Sequence, residues 1–105
     1  MNNKLKKKII GIEFLSKLSP IERKKYLKFK AKKDVIQFLI DIIYNVNNGT
    51  IKINDTLVNI LSPLKNKIKS ICLKKKSFKK RKLELINGNL YDKIIIKILP
   101  FIIRN

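Results

Sequence analysis

Apolar residues recur at helical spacing along most of this chain, and short polar stretches mark where one helix gives way to the next. Leu5, Ile9 and Ile12 predict a first helix over residues 3–17. Ser19-Pro20-Ile21-Glu22 is the sharpest local signal. Ser at N-cap, Pro at N1 and Glu at N3 make a capping box with a pre-set first φ angle. The helix it opens, residues 20–31, is expected to turn Ile21 and Leu27 inward. In the middle of the chain, Val35, Leu39, Ile42 and Val46 form one stripe with Ile36, Ile40 and Ile43 beside it, which predicts a buried helix over 34–47. Asp34 is expected to cap its start, and Asn47-Asn48-Gly49 to stop it. So many of its residues are β-branched that packing rather than propensity must hold it helical.

Thr50-Ile51-Lys52-Ile53 alternates but is too short for an independent strand. Asn54-Asp55 is expected to cap a helix from about Thr56, which Ser62-Pro63 either restarts or kinks. Leu64, Ile68, Ile71 and Cys72 give the stripe of the following segment. Ser77 then caps a short helix with Phe78, Leu83 and Ile86, ending at Asn87-Gly88. The last apolar segment, 90–103, is interrupted by Asp92, Lys93, Lys97 and Pro100, so it is too short and charged to span a bilayer. No signal peptide is expected at the start. The expected fold is therefore all-α, a compact bundle of four to six short helices around the apolar 34–47 helix, with basic arms. It is expected to be one domain over 1–105, divided into a basic N-terminal helix (1–18), a core-like region (19–88) and an apolar tail (89–105).

Charge changes this picture from a small helical domain to one with a polyanionic partner. There are 26 Lys and Arg against 7 Asp and Glu in 105 residues, a net charge of +19. A surplus of that size costs stability through self-repulsion unless something neutralises it. Its distribution is uneven: residues 1–33 carry +10, 34–64 carry −2, 65–82 carry +10 and 83–105 carry +1. Drift toward Lys, Asn and Ile codons would not readily segregate charge in this way. With no His and a single Cys, the chain is not expected to hold a metal or cofactor, form an internal disulfide, or act as an enzyme. No carboxylate pair or Gly-rich phosphate loop is visible. Cys72 is expected to be a small buried hydrophobe, and Tyr26, Phe29, Phe38, Tyr44, Phe78 and Tyr91 to fill the core rather than cluster as a stacking platform.

The densest cluster, Lys74-Lys75-Lys76-Ser77-Phe78-Lys79-Lys80-Arg81-Lys82, lacks acidic partners between Asp55 and Glu84, so it reads as a phosphate-binding ribbon. Such a basic run also has the composition of a nuclear-import signal. Lys65, Lys67, Lys69, Lys74, Lys75, Lys76, Lys79, Lys80, Arg81 and Lys82 form the main candidate contact set, and Arg23, Lys24, Lys25 and Lys28 a second. Arg, the residue that most often reads guanine edges, occurs only three times, so backbone neutralisation without sequence readout is expected.

Taken in order, Leu18-Ser19-Pro20 with Arg23-Lys24, the helix ending Asn45-Val46 with Gly49-Thr50-Ile51 and Ile53, the basic helix, the Lys74–Lys82 block, and Gly88-Asn89-Leu90 with its apolar tail resemble small basic proteins of adintoviruses and related Polinton (Maverick) elements. Those proteins are regarded as similar to adenovirus core proteins. The resemblance spans about residues 15–103. It implies a virion protein that binds and compacts double-stranded DNA, located in the virion core or host nucleus, with other virion proteins as further partners. This tail departs from the family pattern in having one Gly and charges at Asp92, Lys93 and Lys97. A rival reading is a membrane-active or interaction protein whose tail, through Ile94, Ile95, Ile98, Leu99, Phe101 and Ile102 with Lys97 and Arg104, lies against anionic headgroups. A third is a basic adaptor for RNA or an acidic protein.

Overall fold

The capping signals set the helix boundaries. Ser19 accepts from the Glu22 N–H at 3.2 Å and donates to the Glu22 carboxylate at 2.9 Å, opening α2 (Pro20–Phe29) behind α1 (Asn3–Ser16). Asn54 accepts from the Leu57 N–H at 2.9 Å at the head of α4 (Asp55–Leu61), and Ser77 from the Lys80 N–H at 3.3 Å at the head of α6 (Phe78–Asn87). A side-chain oxygen at N-cap satisfies a donor that the first turn would otherwise leave orphaned, which stabilises each helix by about 1 kcal/mol. The computed structural model describes residues 3–73 and 75–103. Lys74 and Arg104, both named above, lie outside the described residues, as does the side chain of Ile102.

Helix α3 (Lys33–Asn47) starts differently from its prediction. Lys32 is the N-cap and makes no side-chain bond, while Asp34 sits inside the first turn, its carboxylate accepting from the Val35 N–H at 2.9 Å. Gly49, two residues past the helix, has φ +83°, a region where a side chain is strained. At the next stop after α6, a Cβ on Gly88 would come within 2.8 Å of the Glu84 carbonyl oxygen, and Asn89 takes the left-handed φ of 53°. At Ser62-Pro63 α4 ends and the helix restarts, one of the two outcomes expected there. A 3₁₀ turn (Ser62–Leu64) joins α4 to α5 (Lys65–Ile71), so 55–71 runs as one rod. A π-helical turn (Tyr91–Ile95) likewise feeds α7 (Ile96–Ile103), which holds Pro100 inside. The described residues thus make six helical rods and no strand.

Helix α3 packs against α1, α5, α6 and the π turn. Ile36, Leu39, Ile40, Ile42 and Ile43 are buried, whereas Val35 and Val46 are half-buried, so the main stripe is rotated from the expected one. Each fully buried Ile or Leu contributes about 1.5–3 kcal/mol. Ile9, Ile12 and Leu15 of α1, Leu57, Leu61, Ile68 and Ile71 of the 55–71 rod, and Leu85 and Ile86 of α6 complete most of the core. The rest comes from Leu27 of α2 and from the tail. Leu90, Tyr91, Ile94, Ile95, Ile98 and Leu99 are all buried, so these side chains close the core and offer no face to lipid. No described helix is long and apolar enough to cross a membrane.

Two expectations about burial are corrected, at Ile21 and Phe29, and the inward face of α6 is fixed. Ile21 is 72 % exposed, because α2 buries Arg23 and Leu27, one turn apart, and Ile21 falls on another side. Leu83 is exposed, and Leu85 takes the inward position on α6. Phe29, expected in the core, is 74 % exposed.

Candidate nucleic-acid interface

Arginine 23 was expected on a contact surface and is instead buried. Its Nε donates to the Leu15 carbonyl at 2.8 Å and its Nη2 to the carbonyls of Leu18 at 2.7 Å and Ser16 at 3.3 Å. Its Nη1 pairs with the Asp92 carboxylate, and the guanidinium lies 5.0 Å from the centroid of the Tyr91 ring. The Tyr91 hydroxyl donates to the Ile12 carbonyl at 2.6 Å; burial pushes this phenol up to about 12, against the opposing charge of Arg23. One side chain therefore ties the end of α1 and the α1–α2 turn to the π turn, and Arg23 leaves the contact set. A sequence cannot distinguish this Arg from a surface one by charge. Its place one turn before Leu27 on the buried face of α2 was the available signal.

Lys24, Lys25 and Lys28 of the second set are exposed. In the main set, Lys65, Lys67 and Lys69 on α5, Lys75 in the following turn, and Lys79 and Lys80 on α6 are exposed, while Arg81 and Lys82 are half-buried. Helices α5 and α6 pack on each other, so these lysines are carried by two touching rods. Helical register places Lys65 and Lys69 on one flank of α5 and Lys67 on the other. Two members are committed to the protein itself. Lys76 pairs with Glu84 and bonds Ser70, while Ser70 donates to the same carboxylate at 2.7 Å. Burial disfavours the Glu84 charge, but the bonds from Lys76 and Ser70 and the charges of Lys76 and Arg81 outweigh it and hold the carboxyl below its ordinary range. The Nη2 of Arg81 donates to the Leu73 carbonyl at 2.6 Å, tying α6 to the turn after α5. Cys72, half-buried near Arg81, has its thiol pushed up by burial, with Arg81 opposing.

Two lysines outside the predicted set join it in space. Lys33, at the start of α3, sits with its ammonium 5.0 Å from the Phe78 ring centroid, beside the head of α6. Lys93, in the π turn, is held below its ordinary value by the nearby charge of Lys67 first, with burial adding to it. Neither adjacency has a sequence signal, since 45 residues separate Lys33 from Phe78 and 26 separate Lys67 from Lys93.

Among the described residues no group of His, Cys, Asp and Glu could hold a metal ion. The cationic surface can neutralise phosphates as point charges and release counterions, with little capacity for base-edge readout. Compared with models of protein families, with curated proteins and with solved structures, the chain matches none.

Proposed function

We propose that this protein binds nucleic acid without sequence preference and that, by neutralising its phosphates, it condenses double-stranded DNA, as a viral or mobile-element core protein of the virion or host nucleus would. In this reading the α3 helix is the apolar centre, the basic segments 1–33 and 65–82 face the polyanion, and the role is non-enzymatic, with no cofactor. The observation that carries it is the set of exposed lysines on the packed α5–α6 pair and the turn between them, Lys65, Lys67, Lys69, Lys75, Lys79 and Lys80, with no acidic residue between 65 and 82 in the sequence. Solvated helix faces usually interleave acids and bases four residues apart; here like charges repel along the helix unless an outside anion intervenes. Scarcity of exposed arginine favours backbone contact over base reading.

Contact with about six to eight phosphates gives a slope of log K against log salt of about −5 to −7. A gel-shift titration across salt concentrations, with duplex DNA, RNA and anionic vesicles as competitors, tests this. Steep salt dependence with duplex DNA as the strongest competitor supports the reading; a slope shallower than about −2 removes it. The membrane alternative loses its motive where the tail's Ile94, Ile95, Ile98 and Leu99 are buried.

A further inference from the structure

An open aromatic groove lies far in sequence from the lysine block, in the angle between α1 and α2. Phe14, Leu18, Glu22, Lys25, Tyr26, Phe29 and Lys30 line an open groove of about 460 Å³, within the range of small-ligand clefts. The Phe14 and Tyr26 rings meet edge to face with centroids 5.8 Å apart and planes at 67°. Phe14 is 50 % exposed and Phe29 74 %, where aromatic rings more often fill a core. The groove's own acid, Glu22, is engaged with the Ser19 hydroxyl in the α2 cap. Lys25 and Lys30 stand exposed at the rim, and the Lys28 ammonium lies 5.3 Å from the Phe29 ring centroid.

The geometry points to this groove as a binding site for unpaired bases of a single-stranded polynucleotide, stacked on Phe29 and Phe14 with their phosphates on Lys25, Lys28 and Lys30. Two features select that occupant. Three of the seven lining residues are aromatic and one is aliphatic, so the groove is lined by flat ring surface more than by the branched apolar surface that a partner helix or an acyl chain packs against. Lys25 and Lys30 line the same groove and the Lys28 ammonium sits by the Phe29 ring, which suits a ligand that is planar and apolar in its middle and anionic at its edge, as a nucleotide is. Base stacking on an aromatic side chain is tolerant of sequence, so the site adds strand selectivity without base-edge readout. This site is separate from the α5–α6 lysines and does not depend on their binding a duplex.

Fluorescence anisotropy with labelled oligothymidylate, and with an abasic phosphodiester of equal length and charge, tests it on the full chain. Wild type is expected to bind the thymidylate roughly tenfold more tightly than the abasic strand at the same salt. Phe29→Leu, which keeps apolar area but removes the ring, is expected to abolish that ratio, and Phe29→Trp to restore or enlarge it. Both changes are at an exposed side chain, so far-UV circular dichroism should be unchanged. Equal affinity for the two strands in wild type overturns the inference, as does a ratio that survives Phe29→Leu combined with Phe14→Leu. So does a Phe29→Leu loss seen only with anionic vesicles or with self-association. Lys79→Gln with Lys80→Gln in the same assay separates the two sites: those changes weaken duplex binding and leave the thymidylate-to-abasic ratio intact. Failure of wild type to bind duplex would remove the proposed function and leave this ratio as its own test.

Discussion

The two basic segments, 1–33 and 65–82, carry the same surplus of +10 in sequence and use it differently in the fold. In the first, one cation is removed from solvent altogether. Arg23 satisfies three backbone carbonyls and Asp92 from within the protein, and the lysines around it share the surface with exposed Ile10, Phe14, Ile21 and Phe29. In the second, the lysines dominate the surface, and the inward commitments are lighter: Lys76 to Glu84 and Ser70, Arg81 to the Leu73 carbonyl. The difference follows from the side chains available. A guanidinium offers five donors in a fixed fork and is less strongly hydrated than an ammonium, so the fold spends an arginine on the interior and leaves lysines to solvent or to phosphate. Equal net charge therefore hides one structural segment with an aromatic surface and one segment of free point charges.

The sharpest way to break that contrast is to remove Arg23. Arg23→Met should cost about 3–5 kcal/mol in chemical denaturation, since it leaves Asp92 and several carbonyls without their donor. If the cost is below about 1 kcal/mol, Arg23 belongs with the surface cations after all. Next in size is the effect of Lys75→Gln, Lys79→Gln and Lys80→Gln together. Duplex affinity should fall, with the salt slope flattening by about 3, while stability changes by less than about 0.5 kcal/mol. Equal neutralisation of Lys24, Lys25 and Lys28 is expected to weaken the duplex less.

Tyr91→Phe should cost about 1 kcal/mol at neutral pH by freeing the Ile12 carbonyl. Because folding raises the phenol to about 12, its contribution is full below the ordinary value of 10.0 and is lost as pH rises from there through 12. The Phe variant should therefore lose less stability than wild type across that alkaline window, as followed by thermal melts. The smallest effect belongs to Glu84. Its carboxyl is lowered from 4.5, so the contribution is full above 4.5 and fades as pH falls through the lower folded value. Glu84→Gln should flatten the acid limb of the stability profile and change neutral stability by less than about 1 kcal/mol.

Much of the fold could be read from the chain because its signals are local. Ser19, Asn54 and Ser77 cap helices as expected, since a cap needs only the next three residues. The burial of α3 followed from seven apolar residues at helical spacing. Faces were harder where a short helix has few apolar residues to fix its rotation: on α2, Ile21 competes with Leu27, and the buried Arg23 decides the outcome through carbonyls of another element. Phe29 was misplaced for the same reason. At the candidate interface, six lysines of the main set are exposed. Lys33 and Lys93 depend on α3 meeting α6 and on α5 meeting the π turn, contacts that no local pattern encodes.

One titration bears on phosphate neutralisation more directly than any variant: duplex DNA bound by the intact protein at a series of salt concentrations. A linear fall of log K with log salt, at a slope of about −5 or steeper and alike for unrelated sequences, is the expected result. A slope shallower than about −2, or no duplex binding near physiological ionic strength, would contradict it.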